Sequence, residues 1–522
     1  MMYPRCAGIL VPLFSLNRRG DMGRGDILGL VPMGEMALAM GHRLIQMLPN
    51  DETAPDEASP YSAISVFAID PLYIAVDGLP GVSGVDLNQA RAALGLDRRL
   101  ITARALGRER LYTTKTRLLK TAYERFRSKD ETAERAAFAH FCQANRYWLD
   151  DYALFRALKA RFEWRQWDLW PADLRDRKAS ALASIRTELA DEILQYQHWQ
   201  FIAQRQWLEV RAGLARRGVM LGGDLAFSPG RDSAEVWANQ SLFNFTRAVG
   251  APPDAFSIYG QRWGLPMPKW AAMRADGLKM IRARVRRARE LFDVLRIDHV
   301  VGLYRTYSFA LGASLQEQGC FDPAKVPGQI KQGEEVIRAI QQEAGAMSLI
   351  VEDLGLVPPF VRKSLSALGV PGYKVMRWEK EDWGKPTERF IDPLNYPELS
   401  LATSGTHDTE SLQLWWHELA PLQRKQLLEV VECDDSASAD RRLTHATREA
   451  ILEALYAAPS RLVITPLQDL FGWNVRINTP GTVGPFNWSW RIPCALERMT
   501  ASTSVHARLE RIRAVVERTG RL

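Results

Sequence analysis

Long apolar stretches are missing from this chain of 522 residues. The most hydrophobic run near its start, GILVPLFSL from Gly8, is well short of the roughly 20 residues that cross a bilayer. The RRGDMGRGD that follows offers no small-residue cleavage site of a secretory leader. The run reads as a buried strand, and no membrane partner is expected. Cysteine is scarce as well. Cys6, Cys142, Cys320, Cys433 and Cys494 are scattered, odd in number and free of CxxC or Cys/His ligand spacing, which excludes a disulfide framework and fits a cytoplasmic location. The eight histidines make no ligand cluster, so no metal is expected. Internal repeats and low-complexity tracts are lacking too.

What is present suits a globular protein with a large core, since 46% of the residues are hydrophobic and 25% charged. The formal charge of +7 is a small surplus of 68 basic over 61 acidic residues. Much of it is arginine on helices. In Lys279 to Glu290, Ile281, Val285 and Ala288 recur at helical spacing, so Arg282, Arg284, Arg286 and Arg287 are expected on a solvated face. No nucleic-acid motif accompanies the surplus, and no nucleic-acid partner is expected.

Short runs rich in aliphatic and β-branched residues recur with amphipathic helical stretches between them. Eight are strand candidates: GILVPL from Gly8, RLIQML from Arg43, GVMLGGDL from Gly218, DVLRIDHV from Asp293, SLIVED from Ser348, GYKVMRW from Gly372, LATSGTHD from Leu401 and RLVITPL from Arg461. Strands alternating with helices pair in parallel through right-handed crossovers, and eight such units close a (β/α)8 barrel. The interval from about Asn50 to Arg217 is too long for a loop. Its centre, with ETAERAAFAHFCQANRYWL from Glu131 and the Trp-rich FEWRQWDLWPADLRDR from Phe162, predicts a mainly helical insertion between strands two and three. The expected division is 1–92 for the start of the barrel, 93–214 for the insertion, and 215–522 for the remainder with loop subdomains. Val505, Leu509, Ile512 and Val516 predict a closing amphipathic helix.

In such a barrel the chemistry sits where strands run out into the following loops. Acidic residues at those places are Asp224, Asp298, Glu352 and Asp408. One alone is more often a helix cap or an ion-pair partner than a catalyst, but four at one rim point to a site. Arg296 precedes Asp298 by two residues, so on an extended strand both face the same way. A guanidinium there keeps the carboxylate ionised, as a nucleophile needs, whereas Glu352 after the apolar LIV should hold its proton longer, as a general acid needs. Such a pair can cleave a glycosidic bond, with retention if the carboxyls lie close and inversion if they lie apart. His407 and Asp408, after Ser404, Gly405 and Thr406, could hydrogen-bond the hydroxyls of the reacting sugar.

Longer segments carry a resemblance. They are SPYSAISVFAIDPLYI from Ser59, GDLAFSPGRDSAEVWAN from Gly223, GAPPDAFSIYGQRWGLPMPKW from Gly250, RIDHVVGLYR from Arg296, VEDLGLVPPFVRKSLSALGVPGYKVMRWE from Val351, SGTHDTESLQLWW from Ser404 and PLQDLFGWNVRINTPGTVGPFNWSWR from Pro466. In these the chain resembles, nearly end to end, the amylomaltase or disproportionating-enzyme family of 4-α-glucanotransferases. The resemblance implies a (β/α)8 barrel without metal or organic cofactor, and maltooligosaccharides or α-1,4-glucans as donor and acceptor. It implies Asp298 as nucleophile, Glu352 as acid/base and Asp408 as transition-state stabiliser. Arg296, His407 and Asp224 would surround the reacting glucose, and Tyr61, Ser233, Trp263 and Asn478 would line glucan subsites.

Two departures stand out. QMLPNDETAPDEASPYS replaces a Gly-rich turn common after the LP pair, and VVG follows RIDH where the middle position is commonly arginine. Of the tryptophans in or near these segments (Trp237, Trp263, Trp270, Trp415, Trp416, Trp473, Trp488 and Trp490), most are expected in the core. Trp263, in the loop-like GQRWGLP, is expected against sugar. The competing readings are a hydrolase of the same glucans and a glucan-binding protein without catalysis.

Overall fold

The structure, a computed structural model, describes every residue except 1–4, 97–105, 129–131, 254–257, 315, 383, 386 and 435–440. Part of the expected insertion, the leading Glu131 of its helical segment, and the middle of the segment beginning at Gly250 therefore lie outside the described residues.

Eight parallel strands form one sheet: Cys6–Leu10, Leu44–Gln46, Met220–Leu225, Val294–Ile297, Ser348–Val351, Gly372–Val375, Ser400–Thr403 and Leu462–Pro466. Each falls on one of the eight apolar runs. Seven neighbouring pairs are joined by parallel ladders. The eighth junction, between the fifth and sixth strands, is bridged where Val351 N–H donates to the Pro371 carbonyl at 3.0 Å, so the sheet closes on itself as a barrel.

Alternation along the strands sorts residues inward and outward. Cys6, Leu44, Val294, Ile350, Leu401, Leu462 and Ile464 make a separate cluster that plugs the barrel's interior. Their outward-facing neighbours join the larger core beneath the helices. On the third strand Gly222 is required, because a Cβ there would lie 2.4 Å from the Gln46 side-chain oxygen. The inward positions above the plug are the polar ones, Asp224 and Arg296, which face each other in register on adjacent strands.

Between strands two and three the chain builds helices, among them Arg108–Ser128, Thr132–Ala144, Arg146–Arg161 and Ala190–Arg216. The last runs directly into the third strand through Gly218, whose φ of 77° is left-handed. Trp207 on this helix is fully buried and donates to the Leu291 carbonyl at 2.9 Å. The closing helix, Thr503–Arg518, buries Leu509, Ile512, Val515 and Val516.

Two readings of the sequence need correction. The helix Lys279–Leu291 leaves only part of its arginine in water: Arg286 is exposed, but Arg284 and Arg287 are 4% and 2% exposed. Arg284 reaches the Ala226 carbonyl and Arg287 the Phe67 carbonyl, tying the helix to two rim loops. Nor is GQRWGLP a loop. Gln261–Pro268 is a strand in a four-stranded antiparallel sheet with Phe243–Ala251, Thr306–Ala310 and Cys320–Asp322. Its glycines and register shifts hid the alternation, and Gly250 is obligatory because a Cβ would meet the Gln261 carbonyl at 2.0 Å.

Candidate active site

The ladder between the fourth and fifth strands pairs Arg296 with Ile350 and Ile297 with Val351. One residue further on, Asp298 and Glu352 therefore leave the two strands at the same height. The Glu352 N–H donates to the Ile297 carbonyl at 2.9 Å and the Asp298 N–H to the Leu225 carbonyl at 3.1 Å, so hydrogen bonds of the barrel type continue past the strand ends and hold both main chains.

Arg296 is the hub. Its Nη1 donates to Asp224 Oδ1 and Oδ2 at 2.6 and 2.7 Å and to Asp298 Oδ1 at 3.0 Å, while Nη2 donates to Glu352 Oε2 at 3.1 Å. Three carboxyls thus surround one guanidinium. Full ionisation would leave uncompensated negative charge around Arg296, where Asp224 is fully buried and Asp298 and Glu352 are each 22% exposed, and burial pushes the Asp224 pKa up. The Glu352 pKa is pushed up to about 8, by burial first and by the neighbouring Asp298 next, against the pull of Arg296. Burial also acts to raise the Asp298 pKa. There Arg296, with His299 and a hydrogen bond from the Glu352 carboxyl, overrides it and holds Asp298 below the usual range.

A second chain of contacts extends the site. The Tyr61 hydroxyl donates to Asp224 Oδ2 at 2.8 Å and lies 3.1 Å from His407 Nε2, which in turn is 3.4 Å from Asp408 Oδ2. Asn478 Nδ2 donates to Asp408 Oδ1 at 2.7 Å. Tyr61 stacks on His407 with ring centres 5.4 Å apart, and Trp488 leans on both. Tyr61, Asp224, Arg296, Asp298, Glu352, His407, Asp408 and Asn478 are accordingly one connected group. Trp263 joins it through an edge contact to His299 at 4.7 Å.

Ser233 does not join. It is completely buried, and its hydroxyl accepts from the Val236 N–H at 3.3 Å as the cap of the helix Ala234–Ala238. A serine three residues before Val236 is also a capping pattern, and that is the job the fold gives it.

Sequence reasoning missed His299. Its left-handed φ of 45° turns its N–H onto Glu352 Oε2 at 2.9 Å, and its place directly after Asp298 was the available signal. Trp488, counted with the core tryptophans, is 9% exposed yet borders the site. Where an arginine is commonly found after RIDH, this chain has Val301, 7% exposed, and the buried Arg284 contributes positive charge toward Asp298 from the adjoining helix. Among the described residues no group of three or more His, Cys, Asp or Glu side chains is placed to hold a metal ion. Nor is any described helix long and apolar enough to cross a membrane.

A parallel eight-stranded barrel whose rim gathers several carboxyls around one arginine fits the class of enzymes that act on glycosidic bonds. Comparison with known proteins narrows it. Residues 11–497 match the model of glycoside hydrolase family 77, described as 4-alpha-glucanotransferase. A 4-alpha-glucanotransferase of Chlamydia pneumoniae is 30% identical over 515 residues, covering 97% of this chain and 94% of that protein. One of Thermus thermophilus is 31% identical over 513 residues, covering 94% and 95%. The amylomaltase of Streptococcus agalactiae, solved in complex with acarbose, superimposes with a TM-score of 0.83 at 26% identity over 98% of this chain and 99% of that one. This chain belongs to glycoside hydrolase family 77 and is a 4-alpha-glucanotransferase of the amylomaltase type.

Proposed function

We propose that the enzyme moves α-1,4-glucan segments between maltooligosaccharides by a retaining double displacement through a covalent glycosyl-enzyme on Asp298. The observation that carries this reading is the single guanidinium of Arg296 bonded to both Asp298 and Glu352, with their protonation pushed in opposite directions. Attachment of both carboxyls to the same guanidinium, Asp298 Oδ1 at 3.0 Å and Glu352 Oε2 at 3.1 Å, favours the short separation of retaining enzymes, about 5–5.5 Å, over the wider gap that admits a water.

In the first step Asp298 attacks the anomeric carbon while Glu352 gives its proton to the glycosidic oxygen, and the shortened glucan leaves. Arg296 and the His299 N–H then hold Glu352 as a carboxylate. In the second step that carboxylate takes the proton of an acceptor's 4-hydroxyl, the hydroxyl oxygen attacks the anomeric carbon, and Asp298 is released. Asp408, set by His407 and Asn478, stabilises the charge that develops on the ring. Asp224 has both oxygens engaged by Arg296 and Tyr61, so it orients those groups and does not attack.

Tyr61 and Asn478 border the reacting ring, and the rim position of Trp263 beside His299 suits stacking on a sugar face. These aromatics also give the cover from water that transfer needs over hydrolysis. The acarbose bound by the Streptococcus relative supports an α-glucan as ligand. Residues 93–214 would act as a buttress that holds the loop bearing Tyr61, with 1–92 and 215–522 forming the catalytic barrel.

Incubation with maltotriose tests the reading. A ladder of longer glucans plus glucose at constant reducing ends is expected, and Asp298→Asn should abolish it while the protein still folds. Rising reducing ends without a ladder would make the enzyme a hydrolase, and a fully active Asp298→Asn would end the assignment of the nucleophile.

A further inference from the structure

Asp408 is not held by a strand. It lies five residues beyond the end of Ser400–Thr403, and its carboxylate, 40% exposed, meets Asn478 and His407. Its main chain is held in part within the loops, Asp408 N–H donating to Thr406 Oγ1 at 3.2 Å and Asn478 N–H to the His407 carbonyl at 3.2 Å. Two arginines from the flanking loops add to this, one from after the sixth strand and one from after the eighth.

Arg377, 4% exposed, donates from Nε to the Ser404 carbonyl at 3.0 Å. Arg476 donates from Nη2 to the Asp408 carbonyl and from Nε to the Asn478 carbonyl, both at 2.8 Å. The two ends of the loop that presents His407 and Asp408 are thus each gripped by a guanidinium. Both guanidiniums converge on one carboxylate. Arg377 Nη1 donates to Glu410 Oε2 at 3.3 Å, and Arg476 Nη1 donates to Glu410 Oε1.

We propose that Glu410 is a positioning residue for transfer, bridging Arg377 and Arg476 so that three adjacent barrel loops lock the Asp408 carboxylate and its partner Asn478 against the reacting ring. This deepens the reading above and rests on the role given there to Asp408. The physical logic is that of two like charges and one counter-charge. With Glu410 ionised, the arginines are drawn together and their remaining N–H groups are aimed at main-chain carbonyls. With a neutral side chain there, they repel, and Arg476 is free to release Asp408 and Asn478 together. Arg377 keeps Asp469 nearby as a second acid, so the loosening falls on the Arg476 side.

Displacement of a positioned catalytic group by about 1 Å can cost on the order of 100-fold in rate. Glu410→Gln, nearly identical in shape, is expected to lower kcat on maltotriose by roughly 10- to 100-fold with KM changed less than about threefold. The decisive readout is a double-mutant cycle. Glu410→Gln should slow an Asp408→Asn enzyme hardly at all, because it acts through the group already removed. α-Glucosyl fluoride, whose leaving group needs no proton, should be slowed by Glu410→Gln in the same proportion as maltotriose.

Arg476→Lys, which keeps the charge but not the three-way reach, should reproduce the loss if Glu410→Gln does not fold. Full kcat in a folded Glu410→Gln with Asp408→Asn strongly slowed overturns this inference alone. Equal slowing of the wild-type and Asp408→Asn backgrounds also overturns it, because Glu410 would then act independently. A fully active Asp408→Asn overturns the underlying assignment together with it.

Discussion

At the scale of single residues the site is a problem in proton placement. Arg296 cannot neutralise three carboxyls: burial pushes the Glu352 pKa up, while at Asp298 the charge of Arg296, with His299, overcomes burial and holds the pKa down. The pH dependence follows by sign. With the proposed roles, the rate should fall below the depressed pKa of Asp298, where the nucleophile would be protonated. It should fall again as pH rises through about 8, where Glu352 would lose the proton it is proposed to donate. A bell-shaped kcat/KM on maltotriose with its alkaline limb near 8 is expected, and Glu352→Gln should erase that limb along with most of the rate. An alkaline limb that survives Glu352→Gln would assign it to another group.

Much of this was legible in the sequence. The two-residue spacing of Arg296 and Asp298 put both on one face, and the apolar run before Glu352 announced its desolvation. The role of His299 was not legible, because its contact with Glu352 is made by a main-chain N–H aimed by a left-handed φ. Nor was the burial of Arg284 and Arg287: spacing along a helix shows which residues share a face, and only the packing of rim loops against that face shows that it is dry.

At the scale of elements, the loop after the second strand is the part most dependent on distant chain. It carries Tyr61 into the site, yet its start is fastened by Glu52, whose Oε1 accepts from Arg156 Nε at 2.8 Å on the insertion with both side chains fully buried. Tyr152 also donates to Glu52, and the Arg156 guanidinium lies between Trp164 and Tyr196, 4.4 and 4.6 Å from their ring centres. Removing one partner of such a pair strands a charge in a medium that cannot solvate it. Arg156→Met is expected to destabilise the fold by about 3–5 kcal/mol, read as a shift in denaturant midpoint. A loss under about 1 kcal/mol would mean that the packing of the insertion, and not this pair, carries the stability. The antiparallel sheet that presents Trp263 escaped the sequence because glycines and bulges erase the period of two on which strand recognition depends.

At the scale of the molecule, insertion and barrel share one hydrophobic core: Trp148, Leu154 and Trp207 belong to the same buried cluster as Leu221, Leu295 and Leu349 on the barrel's outer face. Calorimetry should therefore show a single unfolding transition, and two well-separated transitions would make the insertion an independent domain. The sequence by itself determined the barrel, since eight apolar runs alternating with helical stretches admit few other parallel arrangements. It also put Asp298 and Glu352 at strand ends on one rim, while their equal height came from the ladder that pairs Ile297 with Val351. Only the tertiary structure decided which polar groups are dry, which arginines meet which carboxylates, and that Ser233 caps a helix instead of facing the cleft. Those outcomes depend on contacts between residues far apart in the chain, and periodicity reports only on neighbours.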